Sequence, residues 1–185
     1  MKTAVIENCH VRGLHSVVLR ENGFGQLVRM FIASEDHELW NNSADWSRTA
    51  LGYHPHHCDI TMVPKHGEVT NVILRGGGDL SFHAFLYGSA IRDGKPGFED
   101  LNWGIMNRRA EARALSPGCD SLLMAAHDIH TVHVEKGKTA AWLVIEGESD
   151  PRYAPITYSN QDLTKFDFTD LYRVPTQSVP LKGPQ

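Results

Sequence analysis

Short runs that alternate in polarity or are rich in β-branched residues recur along the chain, and Gly or Pro signals punctuate them. "SVVLRE", "LVRMFIAS", "CDITMV", "VTNVIL", "SFHAFLYG", "LLMAAHDIHTVHV" and "TAAWLVIEGE" are interrupted by "ENGFG", "PKHGE", "RGGGD", "RDGKPG", "SPG" and "EKGK". Side chains of a strand point alternately to opposite faces, so such runs read as half-buried strands. Many short strands with few helices imply an all-β fold, an antiparallel sandwich or barrel. Two segments, "EDLNWGIMNRRAEARALS" and "NQDLTKFDFTDLY", contain enough helix formers for one or two short helices, although "GIMNRRAEARAL" also reads as strand. "RGGGD", at 75 to 79, has no helix after it to build a phosphate site and is expected to form a hairpin loop.

At 185 residues the chain is long enough for one buried core, and no repeat, low-complexity tract or linker divides it, so residues 1–185 are expected to form a single domain. The last segment, "VPTQSVPLKGPQ", at 174–185, is expected to be an extended tail. A net charge of −4 offers no basic footprint for nucleic acid. No stretch approaches the roughly 18 apolar residues of a spanning helix, and the N-terminus lacks a secretory h-region, so a cytoplasmic protein without a membrane partner is expected. The 3 cysteines never form a C-x-x-C pair, which argues against a disulfide framework or a structural zinc knuckle.

Histidine stands out instead, with 11 in the chain. In "GYHPHHCDITMV", strand parity puts His54, His56, Cys58, Ile60 and Met62 on one face and Pro55, His57, Asp59, Thr61 and Val63 on the other. The first face turns apolar after its two imidazoles, which marks it as the inner one. In "DIHTVHVEKG" the same test groups His130 with Val132 and Val134, opposite Thr131, His133 and Glu135. Three inward imidazoles without a shared partner would each leave unsatisfied nitrogens at a cost of about 1–3 kcal/mol, a problem that one cation removes. His54, His56 and His130 are therefore the expected ligands of one divalent metal, and three nitrogens suit iron, zinc, nickel, manganese or copper. A competing set, His57 and Asp59 with His130, would form a two-histidine, one-carboxylate facial triad.

These segments resemble the cupin superfamily, whose jelly-roll barrels hold a metal through an H-x-H in a first motif and a histidine in a second. "HPHHCDITMVPKHG" supplies His54, His56 and Gly67 at the spacing of the first motif, with Ile60 or Thr61 where a glutamate is usual. "AAHDIHTVHVEKGKTAAWLVIEG" is similar to the second, with His130 as ligand. The resemblance spans about residues 15–147 and implies a cupin-type jelly-roll β-barrel. A three-histidine set without the glutamate looks most like the cysteine dioxygenase type of thiol dioxygenase. That implies Fe(II), O₂ and a small polar substrate bearing a thiol or carboxylate. Arg29, in "QLVRMFIAS", is the expected carboxylate partner, and His83 or Tyr87, in "SFHAFLYG", the expected aid to proton transfer.

Two further readings stay open: a non-redox metal cupin acting as isomerase, dehydratase or lyase, and a non-enzymatic barrel that binds a small ligand. Tyr53, Trp40, Trp46, Trp103 and Trp142 are expected to pack a core or a dimer interface, and Cys58 to be a small buried hydrophobe. His127 and His133 are expected to point away from the metal. A homodimer is the expected assembly.

Overall fold

A computed structural model describes residues 4–21, 27–40, 45–88, 97–118, 121–149 and 153–173. Among the described residues there are ten strands: β1 Ala4–Ile6, β2 Leu14–Glu21, β3 Leu27–Ala33, β4 Ile60–His66, β5 Val69–Gly88, β6 Gly97–Leu115, β7 Leu122–Met124, β8 His130–His133, β9 Ala140–Glu146 and β10 Ile156–Ser159. One sheet runs β1-β2-β3-β9-β4-β7; the other is built on β5, which pairs with β6, β8 and β10. Every pairing is antiparallel. This is the all-β, two-sheet barrel that the strand spacing implies. Among the described residues, no helix is long and apolar enough to cross a membrane.

Neither expected helix forms. The segment 99–116 lies almost wholly in β6, in register with β5 from Val69↔Leu115 to Gly88↔Gly97. Its charges are arranged for a strand: Arg109 and Glu111, two residues apart, pair at 2.8 Å, whereas residues two apart on a helix do not face each other. Long-range pairing overrides the helix propensity of its Ala, Arg and Glu residues. The segment 160–172 contains only a 3₁₀ turn, Leu163–Lys165, with Asp162 accepting a hydrogen bond from the Thr164 N–H. "RGGGD" is not a hairpin loop either: it lies inside β5 as an irregularity, where the register shifts between Gly76 and Leu80. β5 ends and β6 begins at the paired residues Gly88 and Gly97; residues 89–96, which include most of "RDGKPG", lie outside the described residues, as does the tail at 174–185.

Alternation along β4 and β9 builds the core. Ile60, Met62, Trp142 and Val144 are buried and belong to one apolar cluster with Leu14, Val69 and Met124. Trp142 stacks on Phe31 with ring centroids 5.7 Å apart. A second cluster gathers Tyr53, Val72, Phe82, Ala84 and Tyr158 on the β5 sheet. Each fully buried side chain of this size contributes about 1.5–3 kcal/mol. Of the tryptophans, Trp142 lies in this core while Trp103 is 47% exposed, its ring edge against Tyr158. The turn from β4 to β5 requires Gly67: φ is +62°, and a Cβ there would lie 2.1 Å from the Thr139 carbonyl oxygen.

Candidate metal centre

The chain just before β4 belongs to the other sheet. Tyr53 exchanges both main-chain hydrogen bonds with Tyr158 of β10, at 2.9 and 2.7 Å, and His54 does the same with His130 of β8, at 2.9 and 3.1 Å. Neighbouring residues of an extended chain direct their N–H and C=O groups to opposite sides, so this segment is wedged between β10 and β8. Residues 55–59 then cross to the large sheet. His56 is held in the crossing by its N–H, which donates to the Ala126 carbonyl at 2.9 Å.

His54 and His130, being directly opposed residues of an antiparallel pair, present their side chains on the same face. His56 follows at the crossing. The three rings form a triangle with centroid separations of 5.1, 5.2 and 4.9 Å. One nitrogen from each lies within 4.8 Å of the others. The His56 and His130 Nε2 atoms are 2.7 Å apart.

The opposite nitrogens set the tautomers of two rings. His130 Nδ1–H donates to Asn71 Oδ1 at 2.6 Å, and His54 Nδ1–H donates to the Gly52 carbonyl at 3.1 Å. Both Nε2 lone pairs are then free to face the centre of the triangle. Burial pushes all three imidazoles below their ordinary pKa, His56 to about 2, with the neighbouring histidines adding repulsion at His56 and His130. Three neutral imidazoles converging on one point can share a divalent cation, and the donor set fits one.

The remaining groups divide between this cavity and the outside. The cavity holds about 260 Å³, and His54, His56, His57, His130, Arg29 and Tyr87 all line it. Arg29 Nη1 lies 3.6 Å from Glu146 Oε1, and His57 Nε2 lies 3.5 Å from the other carboxylate oxygen. His57 is therefore turned toward the cavity rather than away from it, because strand parity does not hold across residues 55–59. The facial triad of His57, Asp59 and His130 is not assembled: Asp59 is exposed, and its carboxylate accepts the Ala126 N–H at 2.8 Å. Cys58 is buried, as expected, and its thiol is pushed up to about 11, chiefly by burial.

His83 is exposed and does not line the cavity. The parity that grouped it with Phe85 and Tyr87 is broken by a register shift between His83 and Phe85, which leaves Ala84 and Phe85 both buried. His127 is exposed. His133 packs edge-on against Trp46.

Several polar residues in or behind the cavity wall, Glu146 among them, were not singled out by sequence. Asn71 is completely buried behind His130, a lone amide in the apolar run "VTNVIL". His10 and Tyr172 form a chain with Tyr87: the Tyr87 hydroxyl bonds the Tyr172 hydroxyl, which meets His10 Nδ1 at 2.7 Å. Burial lowers His10 to about 3 and raises Tyr87 to about 12.

No family model matches the chain, and no curated protein matches its sequence. Among solved structures it is similar to hydroxypropylphosphonic acid epoxidase from S. wedmorenis, with a TM-score of 0.42 and 14% identity over 77% of this chain and 54% of that one. This chain thus spans about half the length of the epoxidase. It is also similar to a cupin-2 domain from Rhodospirillum rubrum, with a TM-score of 0.32 and 14% identity over 80% of this chain and 72% of that one. The likeness is one of outline, and the capacity to hold a metal comes from the chain's own three imidazoles.

Proposed function

We propose that this chain is a metal-dependent enzyme of cupin type, a mononuclear non-haem Fe(II) dioxygenase acting on a small metabolite that bears a thiol or carboxylate. The observation that supports it most is the convergence of the His54, His56 and His130 nitrogens, two of them with tautomers set from behind. Iron held there supplies O₂ activation and a template for a chelating substrate.

The chain's own groups bind and orient. The guanidinium of Arg29, which lines the cavity beside Glu146, offers donors to a substrate carboxylate. The Tyr87 hydroxyl, backed by Tyr172 and His10, holds a proton at the cavity wall. Glu146 and His57 keep a carboxylate and an imidazole beside the same space.

That last pair favours a second reading, a non-redox metal enzyme in which a carboxylate or imidazole moves a substrate proton. Metal analysis of protein purified without added metal, followed by oxygen uptake with a panel of thiols and carboxylates, separates the two. Iron with substrate-dependent uptake supports the dioxygenase. Zinc or nickel without uptake replaces it with the non-redox reading.

A further inference from the structure

The walls of the cavity restrict its ligand more closely than the metal site does. On the large-sheet side it is lined by Phe31, Met62, Trp142 and Val144. A second wall is aromatic and comes from the end of β5, the start of β6 and the segment after β10. There Phe98, Phe166 and Phe168 contact one another with centroids 5.0 to 5.8 Å apart, and Tyr87 packs against Phe98 at 5.1 Å. Phe98, Phe166 and Phe168 are only partly buried, and all three face the cavity. Lys165 and Asp167, which alternate with Phe166 and Phe168, are exposed, so this segment turns its apolar side inward.

The polar groups of the cavity are mostly engaged with one another. Arg29 and His57 both face Glu146, and Tyr87, Tyr172 and His10 form a hydrogen-bonded chain. The three imidazoles and the part of the Arg29 guanidinium that Glu146 does not face remain to meet a ligand. A small, wholly polar molecule would satisfy that end and leave the aromatic wall against water or against its own polar groups, at a desolvation cost. The volume of about 260 Å³ is close to the lower limit of pockets for small organic ligands, roughly 300 Å³, and exceeds what a two- or three-carbon acid fills.

We propose that the ligand is amphipathic: one anionic, chelating head directed at the histidine triad and Arg29, on an alkyl or aryl body that packs against Phe98, Phe166 and Phe168. This rests on the cavity being the reaction site proposed above and narrows the substrate class to acids or thiols with a hydrophobic body.

The test is a homologous series, acetate, butyrate, hexanoate, 3-phenylpropanoate and 5-phenylpentanoate, titrated by calorimetry into the full chain. It is run once with zinc bound and once after removal of metal by a chelator. Affinity is expected to rise about three- to fourfold per added methylene until the cavity is full, with the aryl acids tightest. Phe168→Ala should flatten that rise, and Phe168→Leu should keep most of it. A flat series in the wild-type chain, or tightest binding of acetate, overturns the proposal without reference to any variant. The two titrations also separate the underlying claims: a rise in both with no gain from zinc supports the amphipathic ligand and counts against the metal centre, whereas a gain from zinc with no rise does the reverse.

Discussion

Asn71 Oδ1 lies 2.6 Å from His130 Nδ1, and both residues are buried. Asn71 is paired in register with Val132 and His130 with Ile73, so the amide reaches the ring across two adjacent strands. The contact fixes which nitrogen of His130 carries its proton, and with it which one faces the cavity.

Removing that contact should loosen the metal without removing a ligand. Asn71→Ala is expected to weaken metal binding by about 10- to 100-fold, with Asn71→Asp, which keeps an acceptor, closer to wild type. Competition with a chromophoric chelator measures both. Equal affinities for Asn71→Ala and wild type would remove Asn71 from the account.

Acid should destabilise the fold through His10. Its pKa is lowered to about 3 by burial, against an ordinary value of 6.5, so the unfolded chain takes up a proton first as pH falls. The neutral-ring contribution is complete above about pH 6.5 and is lost progressively toward pH 3, with a slope of at most about 1.4 kcal/mol per pH unit. Urea midpoints of wild type and His10→Gln, followed from pH 7 to pH 4, should converge in acid. Parallel curves would show that His10 charges equally in both states.

Gly67 should resist replacement for reasons of backbone rather than chemistry. Gly67→Ala places a Cβ 2.1 Å from the Thr139 carbonyl oxygen at a φ of +62°. A loss of roughly 1–3 kcal/mol in urea unfolding is expected. A neutral substitution would mean that the β4 to β5 turn relaxes freely.

If Arg29 receives a substrate carboxylate, Arg29→Met should weaken the binding of 3-phenylpropanoate by about 10-fold or more and leave that of an uncharged analogue, 3-phenylpropanol, nearly unchanged. Calorimetry with both ligands reads the difference. Equal losses for both would assign Arg29 to packing against Phe31, whose ring it covers at 5.6 Å.

The strands were legible because period-two alternation survives in β4, where Ile60 and Met62 are buried and Thr61 is not fully so. The histidines that meet could be chosen by the same rule, although His54 and His56 lie outside any strand. The rule failed where the backbone departs from it. His57 turns toward Glu146 in the crossing between sheets, and a register shift after His83 separates that residue from Tyr87. Segment 99–116 carries helix-forming residues that only a long-range partner, β5, makes strand. Asn71 has no local signature beyond being polar in an apolar run. His10 and Tyr172 are 162 residues apart and both adopt left-handed backbone, at φ 72° and 55°, so nothing short-range joins them.

Metal equivalents per chain, measured by elemental analysis on wild type and on His54→Ala, His56→Ala and His130→Ala, test the centre most directly. One equivalent in wild type and loss of most of it in each variant, with the β-sheet circular dichroism retained, is the predicted result. Full occupancy in all three variants would contradict it and place any bound ion elsewhere in the molecule.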